Sequence, residues 1–139
     1  MSEAEGPVPS IALRIDDGSD LATIQVRMGA WLRAHKLSAV DAAKTLTACM
    51  ELASNVVKFA RSGELRGTIV TFGRQRAIEI EAEDHGPGIA DVALAMRDRY
   101  SSAGTLGLGL PGVRRLMEDF DLRTEVGVGT RVRVRKWLP

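Results

Sequence analysis

Two short stretches of this chain carry residue types that can grip a small phosphorylated molecule. In the first, Glu83-Asp84-His85-Gly86-Pro87-Gly88-Ile89, a carboxylate is followed at once by two glycines. A lone carboxylate reads an amino group by accepting its hydrogen bond. The second, Ser102-Ala103-Gly104-Thr105-Leu106-Gly107-Leu108-Gly109-Leu110-Pro111-Gly112, is a glycine-rich turn that opens a helix. Its bare N–H groups and the positive helix end suit phosphate oxygens. One chain with both devices would hold a nucleotide by both ends. A third set, Glu51, Asn55 and Lys58, has spacings of four and three that stack it on one helical face. The Asn55 amide oxygen can ligate a hard cation such as Mg²⁺. Lys58 can neutralise phosphate charge, and Glu51 can take the proton of an attacking hydroxyl. A solvated helix face would account for this last trio if it stood alone.

Helices and strands must bring these groups together. Ile11, Leu13 and Ile15 alternate with Ala12 and Arg14, which predicts a short strand, and residues 1–9 before it read as a loose arm. Asp16-Asp17-Gly18-Ser19 is a turn, with Ser19 or Asp20 as the cap of a first helix. Leu21, Ile24, Met28, Trp31 and Leu32 predict that helix over about residues 20–36, with Trp31 in the core and His35 in a structural or solvated role. Ser38 opens a long helix to about Ala60, with an expected buried stripe of Val40, Ala43, Leu46, Met50, Ala53 and Val57. Strands over about 65–73 and 76–84 flank a turn at Gly73-Arg74-Gln75. A short helix after Ile89 leads to a loop at about 98–106 and a helix over about 108–118. Strands near about 121–126 and 129–137, around Gly127-Val128-Gly129, finish the chain.

Alternation assigns the faces. Ile78, Ile80, Ala82 and Asp84 share one side of their strand, and Glu79, Glu81 and Glu83 the other. In the last strand Thr130, Val132 and Val134 oppose Arg131, Arg133 and Arg135. The sheet therefore has an apolar face for helices and a charged face for water. On adjacent or nearby strands the acidic and basic stripes would pair across the open face. They form either a solvated ladder, each exposed pair worth about 0–1 kcal/mol, or a partner-binding surface. The same parity places Asp84 and Thr130 on the helix side, where a ligand can be enclosed.

Composition narrows the classes. The 139 residues suit a single domain with a real core, and 45% hydrophobic with 27% charged residues is ordinary globular usage. A net charge of +1 gives no field for nucleic acid. The lone Cys49 excludes an internal disulfide and reads as a buried, inert thiol in a reducing compartment. The acidic, Pro-containing start lacks a signal-peptide pattern, and no apolar run approaches the roughly 20 residues of a membrane span. The expectation is a cytoplasmic protein with no membrane and no nucleic-acid partner.

Taken in order, these motifs resemble the boxes of the GHKL ATPases, the superfamily of gyrase, Hsp90, sensor histidine kinases and MutL. Glu51-x-x-x-Asn55-x-x-Lys58 is similar to their N-box, and Asp84-His85-Gly86-Pro87-Gly88-Ile89 to the first glycine box. Gly107-Leu108-Gly109-Leu110 is similar to the second, and Gly127-Val128-Gly129-Thr130 to the last. Order and spacing match from about residue 38 to 138. With no histidine-bearing helix ahead and no second domain behind, the chain looks like the stand-alone serine/threonine-protein kinases of bacterial partner switching, the switch kinases of the stressosome above all. The run from Tyr100 to Met117 and the terminal Val134-Arg135-Lys136-Trp137-Leu138 are especially alike.

The resemblance implies an α+β fold, a two-layer α/β sandwich with a mixed, mostly antiparallel sheet and helices on one face (the Bergerat ATP-binding fold), as one domain over 10–139. It implies ATP and Mg²⁺ as cofactors. Asp84 would accept the adenine amino group, with Thr130 helping through water, and Gly86 and Gly88 would let backbone pass close to the base. Ile89, Ser102, Gly104, Thr105, Leu106, Gly107, Leu108 and Gly109 would complete the enclosure, the glycines around the phosphates. Asn55 would ligate Mg²⁺, Lys58 would touch phosphate and Glu51 would be the general base. The implied acceptor is a serine or threonine of a STAS-domain antagonist on a stressosome scaffold, and the implied second partner is a PP2C-type phosphatase that the released kinase activates. Arg99 departs from the family, which has glycine there, and either clamps phosphate or faces solvent. The alternatives are an anti-sigma factor kinase and a non-catalytic, ATP-gated binding module.

Overall fold

Period-two apolar patterns from both ends of the chain meet in one sheet. The computed structural model describes residues 10–60, 62–97 and 109–139. The expected arm at 1–9, Arg61, and the expected loop with Arg99 lie outside the described residues. The elements are β1 (Ser10–Ile15), α1 (Asp20–Arg33), α2 (Ala39–Phe59), β2 (Gly63–Phe72), β3 (Gln75–Asp84), α3 (Val92–Ala95), α4 (Gly109–Leu116), β4 (Asp119–Glu125) and β5 (Gly129–Trp137). The sheet order is β1-β2-β3-β5-β4, and each of these pairings is antiparallel, a more uniform sheet than expected. Leu13, Ile15, Leu65, Ile69, Ile78, Ile80, Val132 and Val134 form its buried face. Helices α1, α2 and α4 cover that face, so this is the two-layer α+β architecture.

Local chemistry sets the helix ends. The Ser38 hydroxyl accepts from the Asp41 N–H at 3.0 Å and caps α2. At α1, Ser19 holds the cap position without a side-chain cap, and its hydroxyl bonds Asp17 instead. Asp20 closes that turn, its carboxylate accepting from the N–H groups of Asp16 at 2.7 Å and Asp17 at 3.2 Å. In α1 the buried residues are Ile24, Met28, Gly29 and Leu32. Half-buried Trp31 packs beside Gly67 and meets the His35 ring edge-on at 4.8 Å, a structural pairing.

The expected stripe of α2 is wrong in phase. Val40 and Ala43 are exposed, and Leu46, Met50 and Val57 are only half-buried. The buried residues are Thr45, Ala48, Cys49, Leu52, Ala53 and Val56, an arc turned by about a third of a circumference at 100° per residue. The reason is that α2 has three neighbours. It packs on the sheet, α1 and α4 at once, and Leu46 faces α1 beside Gly29. Small residues then meet the sheet, where they allow close approach.

Cys49 is fully buried, and that burial pushes its thiol up to about 12. The unfolded thiol ionises near 9.0, so any stability this group contributes is complete below that pH and is lost as pH climbs toward about 12. A thiol-reactive reagent at neutral pH is expected to find no cysteine in the native protein and one in denaturant. Rapid labelling without denaturant would contradict the burial.

The outer face carries the expected charge ladder, in register. Glu79 faces Arg135, Glu81 faces Arg133 and Glu83 faces Arg131 across β3 and β5. Arg135 bonds Glu79 at 2.7 Å, and Arg66 of β2 bonds Glu64, Glu81 and Glu83. On the inner face Lys136 is buried, a position charge alone argues against. Its ammonium donates to the Leu116 carbonyl at 2.7 Å and lies 3.9 Å from Asp41, tying the end of α4 to the start of α2.

Candidate nucleotide-binding site

Asp84 ends β3 on the helix side, directly opposite Thr130 of β5. Its Oδ1 accepts from the N–H of Gly86 at 3.0 Å and of Thr130 at 3.2 Å. These bonds spend one carboxylate oxygen on the backbone. No hydrogen bond from the described residues is made to Oδ2, and Asp84 is one of the residues that line the adjoining cavity.

The loop after Asp84 is threaded between two elements, and glycine makes this possible at two points. A Cβ on Gly86 would stand 2.6 Å from that of Ala60 at the end of α2. Gly88 has φ +77° and its Cβ would fall on the Glu125 carbonyl of β4. The loop is held on that side by Gly127 N–H to the Pro87 carbonyl at 2.9 Å and by Ile89 N–H to the Thr124 hydroxyl at 2.8 Å. Thr124 in turn lies 2.9 Å from the Thr130 hydroxyl and 3.2 Å from the Gly129 carbonyl.

Between this loop, α2, α3 and α4 lies a cavity of about 390 Å³, within the range of small-molecule sites. Its polar lining includes Asp84 and Thr130 from the sheet and Glu51, Asn55 and Lys58 from α2. Leu52, Val56, Ile89, Leu110 and Val132 supply apolar wall for a flat ring. The Gly109 N–H, first in α4, points to the Glu51 carboxylate at 3.4 Å. A carboxylate at a helix N-terminus is favoured by the helix dipole, so Glu51 already sits where negative charge is welcome.

The sequence-based candidates thus divide into groups. Glu51, Asn55, Lys58, Asp84, Gly88, Ile89, Gly109 and Thr130 line one cavity. Gly86 is not in its wall but bonds Asp84 from behind. Ser102, Gly104, Thr105, Leu106, Gly107 and Leu108 lie outside the described residues. The sequence reading missed Thr124, whose only available signal was its register opposite Thr130. It also missed the wall that Leu94 and Ala95 of α3 contribute. No helix of the described residues is long and apolar enough to cross a membrane.

Comparison with known proteins agrees with this geometry. Residues 16–136 match the histidine kinase-like ATPase domain. The serine/threonine-protein kinase RsbT of Bacillus subtilis (strain 168) is 43% identical over 99 residues, which is 71% of this chain and 74% of that protein. A crystal structure of the RsbU and RsbW domains of a Mycobacterium tuberculosis protein superposes with a TM-score of 0.68 at 15% identity. That match covers 96% of this chain and 34% of the other, and at such identity it speaks to the fold alone. A sheet with a cavity under its helices, motifs in family order and a close relative all agree: the chain belongs to the histidine kinase-like ATPase family, on the serine/threonine-protein kinase branch that RsbT represents.

Proposed function

We propose that this protein binds ATP between the Asp84 loop and α2 and transfers its γ-phosphoryl group to a serine or threonine of a STAS-domain antagonist. The observation that carries the reading is one cavity lined both by the Asp84 carboxylate and by Glu51, whose carboxylate faces the start of α4. The cavity fits the nucleotide on its own terms. Asp84 Oδ2 offers the acceptor a purine amino group needs, and the apolar wall suits a base.

Among the described residues no three His, Cys, Asp or Glu side chains form a metal cage. A divalent cation here would be held through the Asn55 amide oxygen together with phosphate oxygens, the pattern Mg²⁺ favours. When bound, Mg²⁺ supplies neutralisation of phosphate charge. Lys58 supplies a further positive charge beside Asn55. In the transfer, the acceptor hydroxyl oxygen bonds the γ-phosphorus, the bond to the β–γ bridging oxygen breaks, and ADP leaves. The hydroxyl proton passes to the Glu51 carboxylate.

The RsbT likeness supports placing this kinase in a cytoplasmic partner-switching pathway. There it phosphorylates its antagonist on a stressosome scaffold and, once released, binds a PP2C-type phosphatase. The test is incubation with labelled ATP, Mg²⁺ and the STAS-domain proteins of the same genome. Label on a serine or threonine of one of them is the expected result. Nucleotide binding with transfer to none of them would refute the kinase reading and favour a nucleotide-gated binding module.

A further inference from the structure

Three consecutive residues of β5 grip the exit of α4. The Lys136 ammonium donates to the Leu116 carbonyl at 2.7 Å, the Glu118 N–H donates to the Arg135 carbonyl at 3.0 Å, and the Trp137 N–H donates to the Glu118 carboxylate at 2.7 Å. Lys136 also lies 3.9 Å from Asp41 at the start of α2. Helix α4 therefore runs along α2 in the opposite direction, its first residue Gly109 at Glu51 and its last at the tie between Lys136 and Asp41. At about 1.5 Å per residue, Asp41 and Glu51 stand about 15 Å apart along α2, and α4 spans about 11 Å from Gly109 to Leu116.

A buried cation is a poor source of stability, because an apolar side chain of its size fills the same space without the cost of desolvation. Lys136 is 5% exposed, and what it adds over such a side chain is direction. The Leu116 carbonyl is one of those that a helix end leaves without an intrahelical partner, and a single buried donor fixes where that end lies. The same strand carries Thr130 at the cavity, opposite Asp84. Thr130 and Lys136 are about 20 Å apart along β5. Gly109 lines the cavity that Asp84 and Thr130 line. Its distance from them is held by β5, the Lys136 tie and α4 in series.

We infer that Lys136 is a positioning residue for phosphate binding: by holding the end of α4 on β5 and α2, it sets where the start of that helix stands relative to Asp84 and Glu51. This role rests on the proposed nucleotide site. It is tested by calorimetry of ADP and, in competition, of AMP, each with Mg²⁺, on the wild type, Lys136→Met and Val134→Ala, well below the melting temperature of each. Val134 is buried on the same face of β5, two residues before Lys136, and controls for lost stability alone. Lys136→Met is expected to weaken ADP about tenfold and AMP, which lacks the terminal phosphate, far less. Val134→Ala is expected to melt earlier yet bind ADP within about twofold of wild type. If methionine does not fold at this position, Lys136→Gln, whose amide stops one atom short of the Leu116 carbonyl, carries the same expected ratio. An unchanged ratio of ADP to AMP affinity in the Lys136 variant, or an equal loss of ADP affinity in Val134→Ala, overturns the role of Lys136 and leaves the nucleotide site standing. Failure of the wild type itself to bind ADP removes the nucleotide reading, and this role with it.

Discussion

Replacing Glu51 by Gln is expected to slow phosphoryl transfer by about 10²–10⁴ while ADP affinity stays within about twofold. The substitution is chosen for what it keeps. Glutamine preserves the shape of the side chain, and its amide oxygen can still accept from Gly109 N–H, which Glu51 meets at 3.4 Å. The start of α4 therefore stays tethered to α2. What disappears is the ability to hold a proton taken from the acceptor hydroxyl. Glu51→Ala removes the tether as well. A base predicts that both variants lose turnover to a similar degree. A tether predicts that only alanine does. Single-turnover transfer and calorimetry on the two variants decide between them, and wild-type turnover in Glu51→Gln would remove Glu51 from the chemistry.

The position of Asp84 and Thr130 was legible in the sequence because strand parity is a strict rule. A side chain at 84 must share its face with Ile80 and Ala82, and one at 130 with Val132, so both had to point under the helices. The charge ladder was legible for the same reason as two stripes on one face, whereas the facing of Glu79 and Arg135 depends on strand order and register, which parity does not supply. Helix phase obeys no such rule. In α2 apolar residues occupy more than one arc, and three packed neighbours decide which arc meets the sheet. Periodicity gave the period of α2 without its rotation, so the buried arc of Leu52 and Val56 was missed although Glu51 and Asn55 beside it were found.

Thr124 and Lys136 were hidden for different reasons. Thr124 matters only through its partner across the hairpin, and the turn sets that register. With Val128 N–H bonded to the Glu125 carbonyl at 3.0 Å, Thr124 falls opposite Thr130. A shift of one residue would turn the hydroxyl to the other face. Lys136 was available by parity, two residues beyond Val134, but its charge argued for water. Its burial is tolerable because the ammonium meets the Leu116 carbonyl, left without a partner at the end of a helix, and lies near Asp41. Both cases need a partner that is distant in sequence.

Asp84→Asn should invert the purine preference rather than merely weaken binding. The asparagine Oδ1 can still accept from the N–H groups of Gly86 and Thr130, which Asp84 meets at 3.0 and 3.2 Å. The loop is therefore expected to keep its path and the melting temperature to change little. With Oδ1 so engaged, the amide NH₂ must take the place of Oδ2 at the cavity. A donor then faces the purine amino group, itself a donor, and the charged acceptor is gone. Loss of a hydrogen bond to a charged group is worth about 1.5–3 kcal/mol, so ADP affinity is expected to fall between about 10- and 150-fold. The same NH₂ faces the carbonyl oxygen of a 6-oxo purine favourably, so inosine diphosphate should bind the variant more tightly than the wild type. A mutation that only loosened the loop would weaken both ligands together. The opposite signs therefore assign the effect to recognition at Asp84, and parallel losses would assign it to the backbone that Asp84 supports.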